Sequence, residues 1–136
     1  MVSYADTEPS AFAQMLGGLI EANVSARAEK RADFDRLRAS VGIDAVDAGE
    51  AATLDFEGGH LTLRNGLAAR RDLTITADSE TVLQLSNLRI GPFGMPVYYD
   101  ETGRSVVGKL LSRKLRIQGM FKLGLLNRVT RVFSVT

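Results

Sequence analysis

Residues 73–83 read LTITADSETVL, and this stretch changes from one residue pattern to another. Over 72–76 the β-branched residues follow a period of two, which is typical of a strand. Asp78 and Ser79 come next, and either side chain can accept hydrogen bonds from the first amides of a helix. Apolar residues at helical spacing then form the predicted buried face, which consists of Val82, Leu83, Leu85 and Leu88. The stretch therefore predicts a strand that leads directly into a helix.

Two further strands are predicted upstream of this stretch. Leucine and phenylalanine alternate with polar residues over 51–57, and the alternation resumes over 60–64 after Gly58-Gly59. A pair of glycines between two alternating segments is typical of a hairpin turn. Asn65-Gly66 is a turn dipeptide that ends the second strand. We expect the sheet to begin as a meander.

Helical patterns flank these strands on both sides. Residues 10–38 place apolar residues three to four positions apart, behind the start signals Pro9 and Ser10. The polar run 25–35 leaves two alternatives open, namely two helices or one helix that is solvated through its middle. Residues 120–133 carry a broad apolar arc, which predicts a final amphipathic helix.

The region between the middle and final helices is less regular. Residues 90–104 contain three glycines and two prolines, which predicts a loop with a short strand at 97–99. Residues 105–111 are compatible with a short helix. Residues 114–118 alternate as a strand.

Length and composition are those of one ordinary domain. The chain has 136 residues, of which 45% are hydrophobic, so we expect a single domain over 1–136. The absence of cysteine excludes disulfides, thiol nucleophiles and cysteine metal sites. The N-terminal residues lack the basic region of a signal peptide, and no apolar run reaches the ~18 residues of a transmembrane helix. These features predict a cytoplasmic protein.

Charge is distributed unevenly along the chain. The formal charge of residues 1–60 is −6, whereas that of residues 61–136 is +7. Two interpretations remain open. Either the basic half forms a surface for anionic lipid or nucleic acid, or the acidic half packs beside it and neutralises it. We favour the second interpretation.

Residues capable of catalysis are few. The single histidine, His60, lies in a predicted strand, and no serine stands in a nucleophile elbow. The clustered carboxylates are explained by solvated helix, loop and strand positions. No glycine-rich loop carries the residues that hold a nucleotide, and the basic runs lack the interleaved aromatics of a nucleic-acid surface. We therefore expect no catalytic residues, metal or cofactor, and no binding of nucleic acid.

Two stretches together resemble the sterol carrier protein type 2 family. The first is 73–83, which looks like the family's strand entering a helix through a polar cap. The second is 108–120, GKLLSRKLRIQGM, which is similar to its closing strand before an apolar helix. The hairpin at 51–64 also fits, so the resemblance covers about 35–133. Met120, where the family often has an acidic residue, and an apparent insertion at 89–104 depart from the pattern.

The resemblance implies an α+β fold in which helices cover one face of a mixed, mainly antiparallel sheet of about five strands. It also implies an apolar tunnel between the sheet and the helices. Residues 1–35 precede the resemblance, and their apolar spacing predicts an N-terminal helical region. Apolar periodicity and the resemblance together suggest these wall residues: Leu83, Leu85, Leu88, Phe93, Met95, Met120, Leu123 and Leu126. Tight core packing without a cavity remains an equal alternative.

The leading functional hypothesis is a non-catalytic carrier of a hydrophobic molecule such as a fatty acyl chain, acyl-CoA or sterol. Its contact with a membrane would be at most transient. The alternative is an accessory subunit or homodimer with a filled cavity that acts beside a lipid-metabolism enzyme. In that case four residues of the insertion would anchor the partner, namely Phe93, Met95, Tyr98 and Tyr99. A small enzyme that uses His60 or Tyr99 is a third hypothesis.

Overall fold

The computed structural model describes residues 2–86, 100–112, 114–119 and 122–134. Within them the strands are β1 (Val2–Tyr4), β2 (Arg38–Ala45), β3 (Glu50–Glu57), β4 (Leu61–Asn65), β5 (Leu73–Ala77) and β6 (Arg116–Gln118). The helices are α1 (Ala11–Ala26), α2 (Ala28–Arg36), α3 (Ser79–Ser86), α4 (Glu101–Leu111) and α5 (Leu123–Phe133).

The six strands form one mixed sheet in the order β1-β4-β3-β2-β5-β6. Strands β2, β3 and β4 form an antiparallel meander, and β6 is antiparallel to β5. The pairings β1–β4 and β2–β5 are parallel. The α+β class is confirmed, but the expectation of about five mainly antiparallel strands is wrong. Strands β1 and β2 were not predicted, and β5 pairs with β2 instead of extending the meander beyond β4.

The predicted hairpin is confirmed. Gly58 and Gly59, which join β3 to β4, have φ angles of 60° and 93°. Two positive φ angles match the twist of a two-residue hairpin, and glycine adopts them without steric cost. The Glu57 amide donates to the His60 carbonyl over 2.8 Å and closes the turn.

The N-terminal region contains two helices, which resolves the alternative left open by the sequence. Arg27 separates α1 from α2 with an extended backbone, at φ −138° and ψ 126°. The Ser10 side chain caps α1 by accepting a hydrogen bond from the Ala13 amide. The predicted helical region, 10–38, is too long at its C-terminal end. Helix α2 ends at Arg36, and β2 begins at Arg38.

The predicted passage from strand to helix over 73–83 is also confirmed. Asp78 accepts a hydrogen bond from the Thr81 amide over 2.8 Å and thereby caps the start of α3. A second carboxylate, that of Asp47, accepts hydrogen bonds from the Ser79 amide and hydroxyl, each over 2.8 Å. Since Asp47 follows β2, these bonds fix the start of α3 beside the end of that strand.

Part of the segment 89–104, which the sequence predicts to be an inserted loop, is helical. Asp100 accepts a hydrogen bond from the Gly103 amide over 2.7 Å, and α4 begins at Glu101. Residues 101–104 are therefore helical, because a capping carboxylate starts the helix four residues earlier than predicted. The short strand predicted at 97–99 lies outside the described residues.

The two faces of the sheet differ in character. Side chains alternate along each strand, so one face carries buried apolar residues such as Val41, Leu54 and Leu63, and the helices pack over it. The opposite face is polar, and the connection 66–72 from β4 to β5 crosses it. Thr53 fixes this connection, because its hydroxyl donates to the Gly66 carbonyl and accepts from the Ala68 amide.

Two buried polar side chains hold the C-terminal end of α5. The Asn23 amide nitrogen donates to the carbonyls of Val132 and Phe133, each over 3.0 Å. The Lys30 ammonium donates to the Arg131 carbonyl over 2.6 Å. Helix ends leave such carbonyls without intrahelical partners, so these bonds complete α5 and tie it to α1 and α2. Burial lowers the pKa of Lys30, and the positive charge of nearby residues lowers it further.

Candidate functional site

An apolar cavity of about 300 Å³ lies between the sheet and the helices. Every described helix except α2 contributes to it, together with strands β2, β3, β5 and β6. The lining residues are Ile20, Ile43, Leu54, Phe56, Ile75, Leu85, Val106, Val107, Leu110, Leu115, Ile117, Leu126, Val129, Thr130 and Phe133.

The floor of the cavity is a row of isoleucines on neighbouring strands. Ile43 of β2 pairs with Ile75 of β5, and Ile75 pairs with Ile117 of β6. Residues in register across a sheet point to the same face, so the three side chains lie side by side. Leu54 and Phe56 of β3 extend this floor.

Helix α5 forms one wall because its lining residues share one side of the helix. Leu126, Val129, Thr130 and Phe133 follow the spacing i, i+3, i+4 and i+7, which keeps them on one face. The hydrogen bonds from Asn23 to the end of α5 tie this helix to α1.

Helix α4 forms a second wall and is fastened to α3 by two side-chain hydrogen bonds. The Lys109 ammonium donates to the Thr81 hydroxyl over 2.9 Å, and the Ser105 hydroxyl donates to the Gln84 amide oxygen over 3.3 Å. Val106 lies between these two donors along α4 and lines the cavity. The polar side of α4 therefore positions its apolar side.

The chemistry of the cavity is almost purely that of a hydrocarbon. Thr130 is the one polar side chain among the described lining residues, and its hydroxyl already donates to the Leu126 carbonyl over 2.8 Å. No titratable side chain occurs in that lining. Such a surface can enclose an apolar group, but it supplies no general acid, no base and no charge.

The structure places some of the predicted wall residues in the cavity lining and others outside it. Leu85 and Leu126 line the cavity, whereas Leu83 has 52% of its surface exposed and is not in the lining. On α3, Leu83 and Leu85 are two positions apart, so they point in different directions. Leu88, Phe93, Met95 and Met120 lie outside the described residues, as does the side chain of Leu123. A ligand-binding role for all eight residues stays a prediction.

The sequence interpretation missed the strands and α4 as parts of the wall. The inward positions of β2, β3 and β5 do carry a signal, because apolar residues alternate there with polar residues. That signal indicates burial, but it does not distinguish a packed core from the floor of a cavity. The outcome depends on how closely the helices approach the sheet.

Of the two side chains considered as catalytic above, His60 lies away from the cavity and Tyr99 is outside the described residues. His60 stands at the hairpin, where its Nε2 atom is 2.9 Å from the Ser3 hydroxyl, and neither residue is in the lining. In the ranges that the structure describes, no three acidic or histidine side chains are grouped so that they could hold a metal ion. None of the helices described is both long enough and apolar enough to cross a bilayer.

This arrangement of strands and helices is the fold of sterol carrier protein 2. The crystal structure of sterol carrier protein 2 aligns with a TM-score of 0.55 and 16% sequence identity, over 96% of this chain and 96% of that chain. A ubiquinone synthesis protein, UbiJ-SCP2, aligns with a TM-score of 0.61 and 14% identity, over 89% of this chain and 90% of that chain.

A larger protein contains the same fold. The stereoselective inverting sec-alkylsulfatase Pisa1 from Pseudomonas sp. aligns with a TM-score of 0.57 and 14% identity, over 91% of this chain but only 16% of the sulfatase chain. At these identities the likenesses establish the fold alone. The sequence matches no protein-family model and no curated protein.

Proposed function

We propose that this protein is a non-catalytic carrier that encloses the apolar part of a lipid in the cavity between sheet and helices. The observation that carries the proposal is the lining of that cavity, in which every described side chain except Thr130 is a hydrocarbon. The name of one structural neighbour, sterol carrier protein 2, points to the same class of ligand.

The size of the cavity fits a short chain or part of a larger lipid. A dry apolar cavity of about 150 Å³ is enough to bind benzene. The volume of about 300 Å³ found here lies at the lower end of the range for small-molecule sites. Each methylene removed from water contributes about 0.8 kcal/mol, so binding needs no polar partner. We expect low selectivity among ligands with a slender apolar portion.

The proposed mechanism is sequestration and delivery. An apolar wall without a titratable side chain can hold a hydrocarbon and release it unchanged. Catalysis would need an acid, a base or a nucleophile close to the ligand, and the described lining offers none.

The test is native mass spectrometry of the purified protein, followed by extraction of anything that copurifies and by displacement of a fluorescent fatty acid. Val107 lines the cavity at a half-buried position, so Val107→Trp fills part of the volume with little harm to the core. Val46 is 54% exposed and outside the lining, which makes Val46→Trp a matched control.

We expect the protein to bind the probe, Val107→Trp to weaken that binding about tenfold or more, and Val46→Trp to leave it unchanged. Tenfold corresponds to about 1.4 kcal/mol, the value of two buried methylenes. An apo mass together with no probe binding would overturn the proposal. Equal probe binding by Val107→Trp and Val46→Trp would show that the probe binds outside the cavity.

A second candidate is an accessory module that acts beside an enzyme. One observation favours it, namely that the same fold makes up 16% of the length of the sulfatase chain. Such a module would not need to bind a lipid. A folded protein that binds no fatty acid probe but forms a stable complex or homodimer in light scattering would favour this candidate over the carrier.

A further inference from the structure

A polar depression of about 240 Å³ lies on the face of the sheet opposite the apolar cavity. It is bounded by the connection 66–72 on one side and by Gln118, Gly119 and Lys122 on the other. Its polar lining consists of Arg71, Asp72, Thr74, Gln118 and Lys122. Neither the cavity nor the proposed carrier function involves these residues.

The guanidinium of Arg71 is held in a fixed orientation. Its Nε atom donates to the Thr74 hydroxyl over 2.8 Å, and its Nη1 atom donates to the Ala68 carbonyl over 2.6 Å. The side chain lies directly on Gly42, where a β-carbon would stand 2.7 Å from Cδ of Arg71. In the described part of the chain, nothing accepts a hydrogen bond from Nη2. A guanidinium already oriented in this way loses little entropy on binding an anion.

Further donors line the same depression. Thr74 accepts the hydrogen bond from Arg71, so its own hydroxyl proton remains available to an acceptor. Gln118 is next to Thr74 across the β5–β6 pairing, and its side-chain amide makes no hydrogen bond to any residue described. The Lys122 ammonium is exposed, and among the residues described it reaches one acceptor, Oδ1 of Asp72, at 3.5 Å.

The charge balance of the depression is positive. Lys122 and Arg71 line it, and Arg70 belongs to the same connection, whereas Asp72 is the one acidic residue in the described lining. One oxygen of the Asp72 carboxylate already has a partner within the protein, because Oδ2 accepts a hydrogen bond from the Ser40 amide over 2.8 Å. This hydrogen bond lowers the pKa of Asp72, and the charges of Lys122 and Arg70 lower it further.

We propose that this depression binds a phosphate group carried by a small soluble molecule or by a lipid headgroup. A phosphate offers several acceptor oxygens to the guanidinium, ammonium, hydroxyl and amide donors that line the depression. The depression has a volume of about 240 Å³, which exceeds the space needed for a single water molecule many times over. The site lies across the sheet from the apolar cavity and does not depend on the carrier function.

The test is a titration of the amide NMR spectrum with inorganic phosphate at constant ionic strength. We expect saturable shifts centred on Thr74 and Gln118. Lys122→Gln should raise the dissociation constant about tenfold, because it removes a charge-assisted hydrogen bond. Gln118→Leu should raise it by a smaller factor. Lys114→Gln is the matched control. Lys114 is also an exposed lysine, but it acts on the pKa of Asp78, which follows the C-terminal end of β5, whereas the depression lies at the N-terminal end of that strand.

A parallel experiment distinguishes the two sources of the phosphate group. The protein is sedimented with phosphatidylcholine vesicles that contain or lack phosphatidic acid. Binding that requires phosphatidic acid and is lost in Lys122→Gln supports a lipid headgroup, whereas saturation by inorganic phosphate without vesicle binding supports a soluble ligand. The proposal is wrong if millimolar phosphate shifts no amide of the depression and the vesicles bind no protein. It is equally wrong if Lys114→Gln and Lys122→Gln weaken binding alike.

Discussion

Asp33 of α2 holds Arg131 of α5 through two hydrogen bonds of 2.9 Å, one to each carboxylate oxygen. The two side chains are 15% and 20% exposed, so water screens the pair only partly. Arg128 adds a second cation, 3.6 Å from the same carboxylate. The hydrogen bond from Arg131 raises the pKa of that guanidinium above its ordinary value. At this contact a carboxylate from the acidic half of the chain pairs with cations from the basic half.

We expect Asp33→Asn to lower the free energy of unfolding by about 2 kcal/mol, between the values typical of exposed and of buried pairs. The measurement is urea denaturation at neutral pH. Asp35→Asn is the matched control, because Asp35 pairs with Arg31 where both side chains are 50% exposed. That control should lose less than about 0.5 kcal/mol. Equal losses of unfolding free energy in the two variants would show that the ion pair between α2 and α5 stabilises the protein no more than an exposed pair does.

Two adjacent glycines of α1 should respond oppositely to alanine. A β-carbon on Gly17 would stand 2.7 Å from the Tyr4 hydroxyl and 2.9 Å from Cδ1 of Leu63, whereas one on Gly18 would meet nothing within 4 Å. Gly18→Ala should stabilise the protein by about 1 kcal/mol, because alanine favours the helix. Gly17→Ala should displace Tyr4 and loosen β1.

Hydrogen exchange measures the effect on β1. The Ala5 amide donates to the Leu63 carbonyl over 2.9 Å, so its protection should fall in Gly17→Ala and stay unchanged in Gly18→Ala. Unchanged protection in both variants would contradict the predicted contact between Tyr4 and α1.

Acid should destabilise the protein partly through Asp78. Hydrogen bonds from the Thr81 side chain, and then from its backbone amide, lower the pKa of Asp78 below its ordinary value of 3.8. A carboxylate with a lowered folded-state pKa stabilises the fold above its unfolded-state pKa, and this contribution is lost as the pH falls through the folded-state value. Between pH ~4 and ~2, wild-type protein should therefore lose more stability than Asp78→Asn.

Denaturation curves across that pH range provide the measurement. Asparagine still caps a helix, so Asp78→Asn should stay folded at neutral pH. Glu21→Gln, which alters an exposed carboxylate of α1, should keep the pH dependence of the wild type. The same pH dependence in Asp78→Asn and the wild type would rule out this role for Asp78.

Asn23 should stabilise the folded protein, because its side-chain amide donates hydrogen bonds to two carbonyls at the end of α5. Asn23→Leu preserves the approximate shape but leaves the carbonyls of Val132 and Phe133 without this donor. We expect a loss of about 2 kcal/mol in the free energy of unfolding. Gln14→Leu removes an exposed amide that donates to the Pro9 carbonyl, and it should cost less than about 0.5 kcal/mol. Thermal denaturation of the two variants tests this difference.

Local signals in the sequence were sufficient for several elements. The glycine pair at 58–59 predicts the hairpin and Asp78 predicts the start of α3, because each depends on the conformation or hydrogen bonding of a few neighbouring residues. Strand β2 was missed, although Val41 and Ile43 alternate with polar or small residues. Its apolar signal is short and directly follows a helix, and its parallel partner β5 lies far away in sequence.

The candidate site was less predictable than the fold. Leu85 and Leu126 were expected to line a cavity because their helices are amphipathic. The contribution of Ile43 and Ile117 depends on sheet register, and that of Val106 depends on how Lys109 fastens α4 to α3. These relationships arise from tertiary packing, and residue spacing alone does not contain them.

The cavity wall joins Ile20 to Phe133, which are more than a hundred residues apart. Contacts between such distant residues form slowly, because closing the intervening chain costs entropy before any contact is gained. During translation the ribosome releases α1 and the meander well before α5. The nascent chain therefore exposes the apolar face of its sheet until α5 emerges, and it is most prone to aggregation in that interval. The cavity is therefore complete only after α5 has folded.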